Sequence, residues 1–240
     1  MERLNKAIAA SGLASRRQAD AIISAGRVEV NGEITTDLST KVDLAKDKVH
    51  VDGRPLKSAA LVTYILHKPK GVVCSTAAQG KGRLVTDMVP KQPPVNPIGR
   101  LDKETSGLIL LTNDGALAHR LSHPSFEHAK EYHVVARWQA TQGAKPLDWV
   151  KKELAKGVKL GDGLAKTDSL SVGLLPDGRL DLRLTIHEGR HHQVRRMCAT
   201  LGLDVVTLVR TKYSGLSLAG LNPGQFRALT ISEVRRLHAA

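Results

Sequence analysis

Aromatic residues are scarce in this 240-residue chain, at 3% of it. That argues against the aromatic platforms on which many proteins stack single-stranded bases. Cysteine is nearly absent as well. Cys74 and Cys198 are too few for a disulfide framework and lack metal-ligand spacing, which fits a reducing compartment. No apolar run approaches the roughly 20 residues of a membrane-spanning helix. The N-terminal AIAASGLA segment is short, is broken by Ser11-Gly12 and runs into Arg16-Arg17, so it makes a poor leader peptide. A cytoplasmic monomer without membrane contact is expected. There is no phosphate-loop or dinucleotide-binding glycine pattern, no internal repeat and no low-complexity tract. Acidic residues are also in deficit: 36 Lys and Arg stand against 23 Asp and Glu, a formal charge of +13. That surplus suits a polyanion, most simply nucleic acid. Its grip would rest on arginine and lysine against phosphates and would be steeply salt-dependent.

The length allows one domain or two, with a sizeable core. Leu4, Ala7 and Ile8 share one face of a short helix over residues 2 to about 10. Ser15 and Gln18 form a capping box for a second helix, which buries Ala19, Ile22 and Ile23 and stops at Gly26. Val28 and Val30 alternate into Asn31-Gly32, a strong hairpin signal, and Ile34 begins the return strand. A linker is expected around Pro55 to Ala60, before the apolar run Leu61 to Leu66. Tyr132 to Ala136 reads as a strand. Lys145 to Lys156 reads as an amphipathic helix with Leu147, Val150 and Leu154 inward and Gly157 as its stop. Leu180, Leu182, Leu184 and Ile186 alternate after the turn Pro176-Asp177-Gly178. Val194, Met197, Cys198 and Leu201 take helical spacing closed by Gly202, and Thr230 with Glu233 caps a C-terminal helix. The pattern is α+β. Of the charge surplus, residues 1–58 hold only +2, leaving +11 on the remainder.

The most informative stretch is Gly99 to Gly115, GRLDKETSGLILLTNDG. Asp102 stands between a basic turn and Gly107; the apolar run Leu108 to Leu111 follows, then the turn signal Asn113-Asp114-Gly115. A short apolar run bounded by turn residues reads as a buried strand. Asp102 is therefore on a loop feeding the core, where an aspartate either caps a turn or carries chemistry. The stretch resembles the catalytic motif of the pseudouridine synthases, in which it surrounds the essential aspartate. It most resembles the branch acting on bacterial ribosomal RNA, which carries an N-terminal RNA-binding domain of the type first named in ribosomal protein S-four. Matching segments run from Arg3 to Leu229.

Residues 187 to 191, HEGRH, literally match the zinc-protease pattern H-E-x-x-H. That chemistry needs both histidines one turn apart on a helix. Here His187 closes an alternating strand and Gly189 intervenes, so no zinc site is read. The longer segment IHEGRHHQVRRM, Ile186 to Met197, instead resembles the family's later motif, which makes Arg195 the arginine that pairs with the aspartate. By resemblance Arg195 is a buried partner that keeps Asp102 ionised and fixes its direction with bidentate bonds. Where the family usually shows an asparagine-arginine pair, this chain has His191-His192. Lys130-Glu131-Tyr132 matches the family's K-x-Y, implying that Tyr132 stacks on the target base. Leu208 and Arg210 match its L-x-R, with Leu208 packing against the site. His67 to Gly71, HKPKG, matches a structural loop near the RNA.

The resemblance implies an α+β protein of two parts. Residues 1–58 would form a small helix-helix-strand RNA-binding domain. Residues 61–240 would form a larger catalytic domain, a mixed and mainly antiparallel sheet with flanking helices. It implies isomerisation of uridine to pseudouridine in ribosomal RNA, with Thr86 to Pro90 and the TSG form of the first motif leaning toward the large subunit. The reaction imports no group, so no cofactor or metal is expected. Asp102, Tyr132 and Arg195 are the expected catalytic residues, and Lys6, Arg16, Arg17, Arg27, Arg100, Arg190, Arg196 and Arg210 the expected RNA contacts. The alternative is a catalytically silent ribosome-assembly factor on the same fold.

Overall fold

The computed structural model describes residues 1–75, 82–141 and 143–239. The chain opens with strand β1 (Glu2–Arg3) and helices α1 (Leu4–Ala10) and α2 (Arg16–Ser24). The predicted capping box is present: the Ser15 side chain accepts from the Gln18 N–H, and the Gln18 side chain accepts from the Ser15 N–H at 2.9 Å. Strands β2 (Val28–Val30) and β3 (Glu33–Thr35) form the hairpin, with Asn31 and Gly32 both at positive φ as a tight turn between twisted strands requires. Short strands β4 (Lys41–Val42), β5 (Val49–Val51) and β6 (Arg54–Pro55) complete this part. Its core is separate. Leu4, Ala7, Ile8, Ala19, Ile23, Val28, Val42, Val49 and Val51 pack together, with Ile22 only partly buried.

After a stretch without helix or strand, β7 (Thr63–Lys68), β8 (Asn96–Ile98) and β9 (Ser106–Thr112) follow. Next come α3 (Gly115–Ser122), β10 (Lys130–Trp138) and α4 (Leu147–Lys156). The hairpin β11 (Val158–Leu160) and β12 (Gly163–Ala165) leads to β13 (Ser169–Leu174), β14 (Leu180–Ile186) and α5 (Gln193–Thr200). The chain ends with β15 (Leu203–Tyr213), β16 (Leu216–Ser217), β17 (Phe226–Ala228) and α6 (Ile231–Ala239). The main sheet runs β13-β14-β10-β15-β9-β7-β17, with β8 beside β9 and β16 beside β15. Among the described strand pairs only β15 and β9 run parallel, apart from an isolated parallel bridge between Val73 and Leu84. The expected mixed, mainly antiparallel sheet is thus present.

Every residue of β9 is buried, because the sheet is covered on both faces there. Ile109 and Leu111 join the core beneath α4 and α5, while Leu108 and Leu110 join a second layer with Leu117 of α3 and Leu237 of α6. This explains the unbroken apolar run. Helix α3 departs from the reading of Asn113-Asp114-Gly115 as a plain turn. Asp114 accepts from the N–H groups of Ala116 and Leu117 at 2.9 and 3.0 Å, so it is an N-cap. The same residue types serve turns and helix starts, since both need a short acceptor folded back on the chain.

Candidate active site

Asp102 lies in the loop between β8 and β9, and this loop is braced from beneath. Leu101 is buried and its N–H donates to Cys74 Sγ at 3.4 Å. The Thr105 N–H closes the turn on the Asp102 carbonyl at 3.0 Å. Lys68, fully buried at the end of β7, donates to the carbonyls of Pro69, Val72 and Lys103 at 3.0, 2.8 and 3.3 Å. The Gly71 N–H reaches the same Lys103 carbonyl at 2.8 Å. The HKPKG stretch therefore ties one loop to the neighbour of Asp102. Burial lowers the Lys68 pKa from the usual lysine range, with Cys74, Glu104 and Asp102 opposing.

Gly107 sets how closely the next strand approaches. It pairs with Arg210 across the parallel β9–β15 ladder at φ +119°, and a Cβ there would lie 2.4 Å from the Arg210 backbone N and O. No L side chain fits. The glycine thus brings β15, with Leu208 and Arg210, against the Asp102 loop.

A cavity of about 830 Å³ opens over the loop, and its wall includes Arg100, Asp102, Tyr132, Leu208 and Arg210. Tyr132 and Leu208 are buried in that wall, and the Asp102 side chain is 30% exposed. Arg210 is only 3% exposed. Its Nε donates to the Leu108 carbonyl at 2.8 Å, its guanidinium lies 4.9 Å over the Tyr213 ring, and its Nη2 is buried without a hydrogen-bond partner. Thr105 Oγ1, in the same wall, is also unpartnered. Unsatisfied buried polar atoms cost about 1–3 kcal/mol each and are a reason to look for a ligand. Lys130 lines the cavity, donating to the His128 carbonyl at 3.0 Å and the His187 carbonyl at 2.6 Å. Burial first, then Arg210, brings its pKa down to about 8.

The partner that the structure places on Asp102 is His192, Nε2 to Oδ1 at 3.4 Å. His192 is the N-cap of α5 and takes the left-handed conformation, φ 51° and ψ 27°. That conformation costs a non-glycine residue of order 1–2 kcal/mol. His191 stacks on it, ring centroids 3.9 Å apart and planes 20° off parallel.

Several expected contacts are corrected. Arg195 is partly exposed and makes no ion pair with Asp102 among the described residues; its Nη2 donates to the Glu104 carbonyl at 2.9 Å. With α5 starting at Gln193, the cap residue rather than the third helical residue faces the carboxylate. Arg190 and Arg196, expected on phosphates, are committed elsewhere. Arg190 binds Glu188 (Nη2 to Oε2 2.7 Å), Asp162 and the Leu164 carbonyl, and Arg196 binds Asp162 at 2.8 Å. Together they fasten the β11–β12 hairpin to the start of α5. Arg210, also expected on RNA phosphate, is beneath the cavity instead, because β15 carries it into the sheet. Arg100, Arg16 and Arg17 are exposed. Lys6 and Arg27 are exposed but paired, with Glu2 at 3.3 Å and Asp52 at 2.6 Å.

The H-E-x-x-H match is not a metal site here. His187 leaves the end of β14 and pairs with Asp168 at 2.9 Å, away from any helix turn shared with His191. Sequence reasoning missed Lys130, His192 and Tyr213 as cavity residues. The departure from the family pattern at His191-His192 was the one available signal for His192; nothing in the sequence singled out Tyr213.

Residues 62–200 match the family model described as RNA pseudouridylate synthase, and residues 2–49 match the S4 domain. The chain is 44% identical to ribosomal large subunit pseudouridine synthase B of Bacillus subtilis (strain 168), over 100% of this chain and 96% of the relative. It is 41% identical to an uncharacterized RNA pseudouridine synthase of Mycobacterium leprae (strain TN), over 98% of this chain and 92% of the relative. A crystal structure of a pseudouridylate synthase aligns at a TM-score of 0.65 and 31% identity, over 99% of this chain and 100% of that one.

Proposed function

The chain belongs to the RNA pseudouridylate synthase family, and from that premise we propose that it converts a uridine of large-subunit ribosomal RNA to pseudouridine. The observation that carries this reading is Asp102, a carboxylate on a braced loop in the wall of a cavity with room for a nucleotide. Asp102 acts on the sugar, either adding to its anomeric carbon or removing a sugar proton. In both routes the bond from that carbon to uracil N1 breaks and uracil turns over. The sugar carbon then bonds to C5, which releases its proton, while N1 takes one up. No group is imported and no oxidation state changes, so the reaction calls for no cofactor.

Tyr132 and Leu208 bound the base. Arg210, with one donor unused, offers it to a uracil carbonyl. Arg195 holds the Asp102 loop through the Glu104 carbonyl, as a positioning residue. Such a uridine must leave its stack, at a cost of a few kcal/mol that is lowest in loops. The positive surface of residues 61–240 and an RNA clamp formed by residues 1–58 offset that cost.

The test is tritium release from RNA labelled at uridine C5, using large-subunit rRNA, small-subunit rRNA and pre-ribosomal particles. Stoichiometric release from large-subunit RNA is expected, abolished in Asp102→Asn while filter-binding affinity stays within about threefold. Tight binding with no release from any substrate would leave the silent assembly factor as the better reading.

A further inference from the structure

Asp102, His191 and His192 form a three-ligand cluster whose donor atoms all lie within 4.8 Å of one another. We propose that this cluster binds a divalent transition ion of the zinc type, and that the ion inhibits the enzyme by occupying Asp102. The inhibitory consequence rests on the function proposed above; the binding itself does not.

The donor chemistry fits such an ion. Two imidazoles and one carboxylate are the mixed nitrogen and oxygen set that zinc accepts, with water completing the tetrahedron. Bonds of about 2.0–2.1 Å place neighbouring donors of a tetrahedron about 3.3–3.4 Å apart. His192 Nε2 and Asp102 Oδ1 already stand at 3.4 Å. The third donor comes from His191, which is exposed and whose ring nitrogen already lies within 4.8 Å of the other two donors. It must turn out of its stack on His192 for the two imidazoles to converge on one ion. The left-handed backbone at His192 makes the arrangement, turning that imidazole back over the loop before α5 begins. A hard ion such as Mg²⁺, which prefers oxygen and its own water shell, has little use for this set.

The placement separates this site from a resident cofactor site. It uses the carboxylate that the reaction needs, and it opens to solvent. Arg100 on the same loop and Lys130 in the same wall oppose a cation. Affinity on the order of micromolar is therefore expected, well short of a closed structural zinc site.

The experiment is calorimetric titration of Zn²⁺ into the full-length metal-free protein, with Co²⁺ uptake followed by visible absorption. One ion per chain is expected, undisturbed by excess Mg²⁺. Affinity should fall at least about tenfold in His191→Asn, in His192→Asn and in Asp102→Asn. His119→Asn serves as the control, since it breaks another close histidine pair, His119 and His123, with rings 5.2 Å apart. Thermal melts establish that each variant is folded. No saturable binding up to roughly millimolar Zn²⁺ overturns the proposal; so does binding that survives both histidine replacements or is lost in His119→Asn. These readouts need no RNA, so they stand even if tritium release fails for every rRNA. Where release is observed, Zn²⁺ should suppress it and a chelator restore it; full activity with the site loaded would overturn the inhibitory part.

Discussion

At the scale of single residues, the cavity combines groups that reward a ligand with groups that hold the frame. Arg210 belongs to the first kind. In the free protein its charge is buried and one donor is unsatisfied. Removing a buried charge relieves its desolvation cost, which offsets the loss of the single bond to the Leu108 carbonyl. Arg210→Met should therefore hold or raise Tm while lowering kcat/KM for tritium release about a hundredfold, near 2.7 kcal/mol of transition-state stabilisation. A large fall in Tm with unchanged kcat/KM would make Arg210 a structural residue only. Arg195 belongs to the second kind. It touches a backbone carbonyl two residues from Asp102, so it acts by direction rather than by charge pairing.

At the scale of elements, two braces set the working geometry. Lys68, at the end of β7, holds the turn after that strand through the Pro69 and Val72 carbonyls and ties it to the loop before β9 through the Lys103 carbonyl. Lys68→Met would strand those carbonyls while relieving the cost of burying an ammonium, a net loss of about 2–3 kcal/mol. Denaturant unfolding should show this as a lower midpoint at unchanged m-value. Tritium release should fall with it, even though Lys68 touches no substrate.

The second brace joins β17 to α6. Glu233 accepts from both Arg227 terminal nitrogens, at 2.8 and 2.7 Å, and from the Thr230 N–H at 2.8 Å. Chiefly through Arg227, its carboxyl is held down to about 2. A depressed folded pKa means that the unfolded chain binds the proton more readily. The stabilisation is therefore whole above the usual glutamate range, near 4.5, and drains away as pH falls toward 2. Arg227 is itself substantially exposed, so solvent screening keeps the gain small. Urea unfolding at successive pH values should show Glu233→Gln losing less stability than the wild type across that window. Parallel curves would mean that the pair contributes nothing.

At the scale of the whole molecule, the charge surplus is uneven, and the N-terminal stretch over residues 1–58 is nearly balanced. Its contribution to RNA binding should come from a few placed cations rather than a field. Arg16 and Arg17 are exposed on the first turn of α2, where free backbone N–H groups also favour an anion. Replacing both with alanine should weaken rRNA binding and lower the slope of log affinity against log salt by roughly 1–2, as expected for two lost phosphate contacts. Weaker binding at unchanged slope would place the loss outside phosphate contacts.

Much of this architecture was legible in the chain. The capping box at Ser15, the Asn31-Gly32 hairpin, the helix stop at Gly157 and the alternation of β14 are local signals, written by neighbours within a few residues of one another. Strand β9 was legible for the same reason, since burial on both faces demands an unbroken apolar run. Helix α3 was not, because Asp114 and Gly115 spell a turn and a helix start alike. The Gly107 requirement also lay outside local sequence. It exists only because Arg210, more than a hundred residues later, pairs beside it.

By itself, then, the sequence determined the local elements, the polyanion-seeking charge and the loop on which Asp102 stands, since each depends on side-chain chemistry at short separation. The tertiary structure alone decided which groups meet Asp102. It set His192 rather than Arg195 at the carboxylate, turned Arg190 and Arg196 inward to Asp162, and buried Arg210 beneath the cavity. Those outcomes follow from where α5 begins and how β15 docks on β9, which are settled by packing between distant segments.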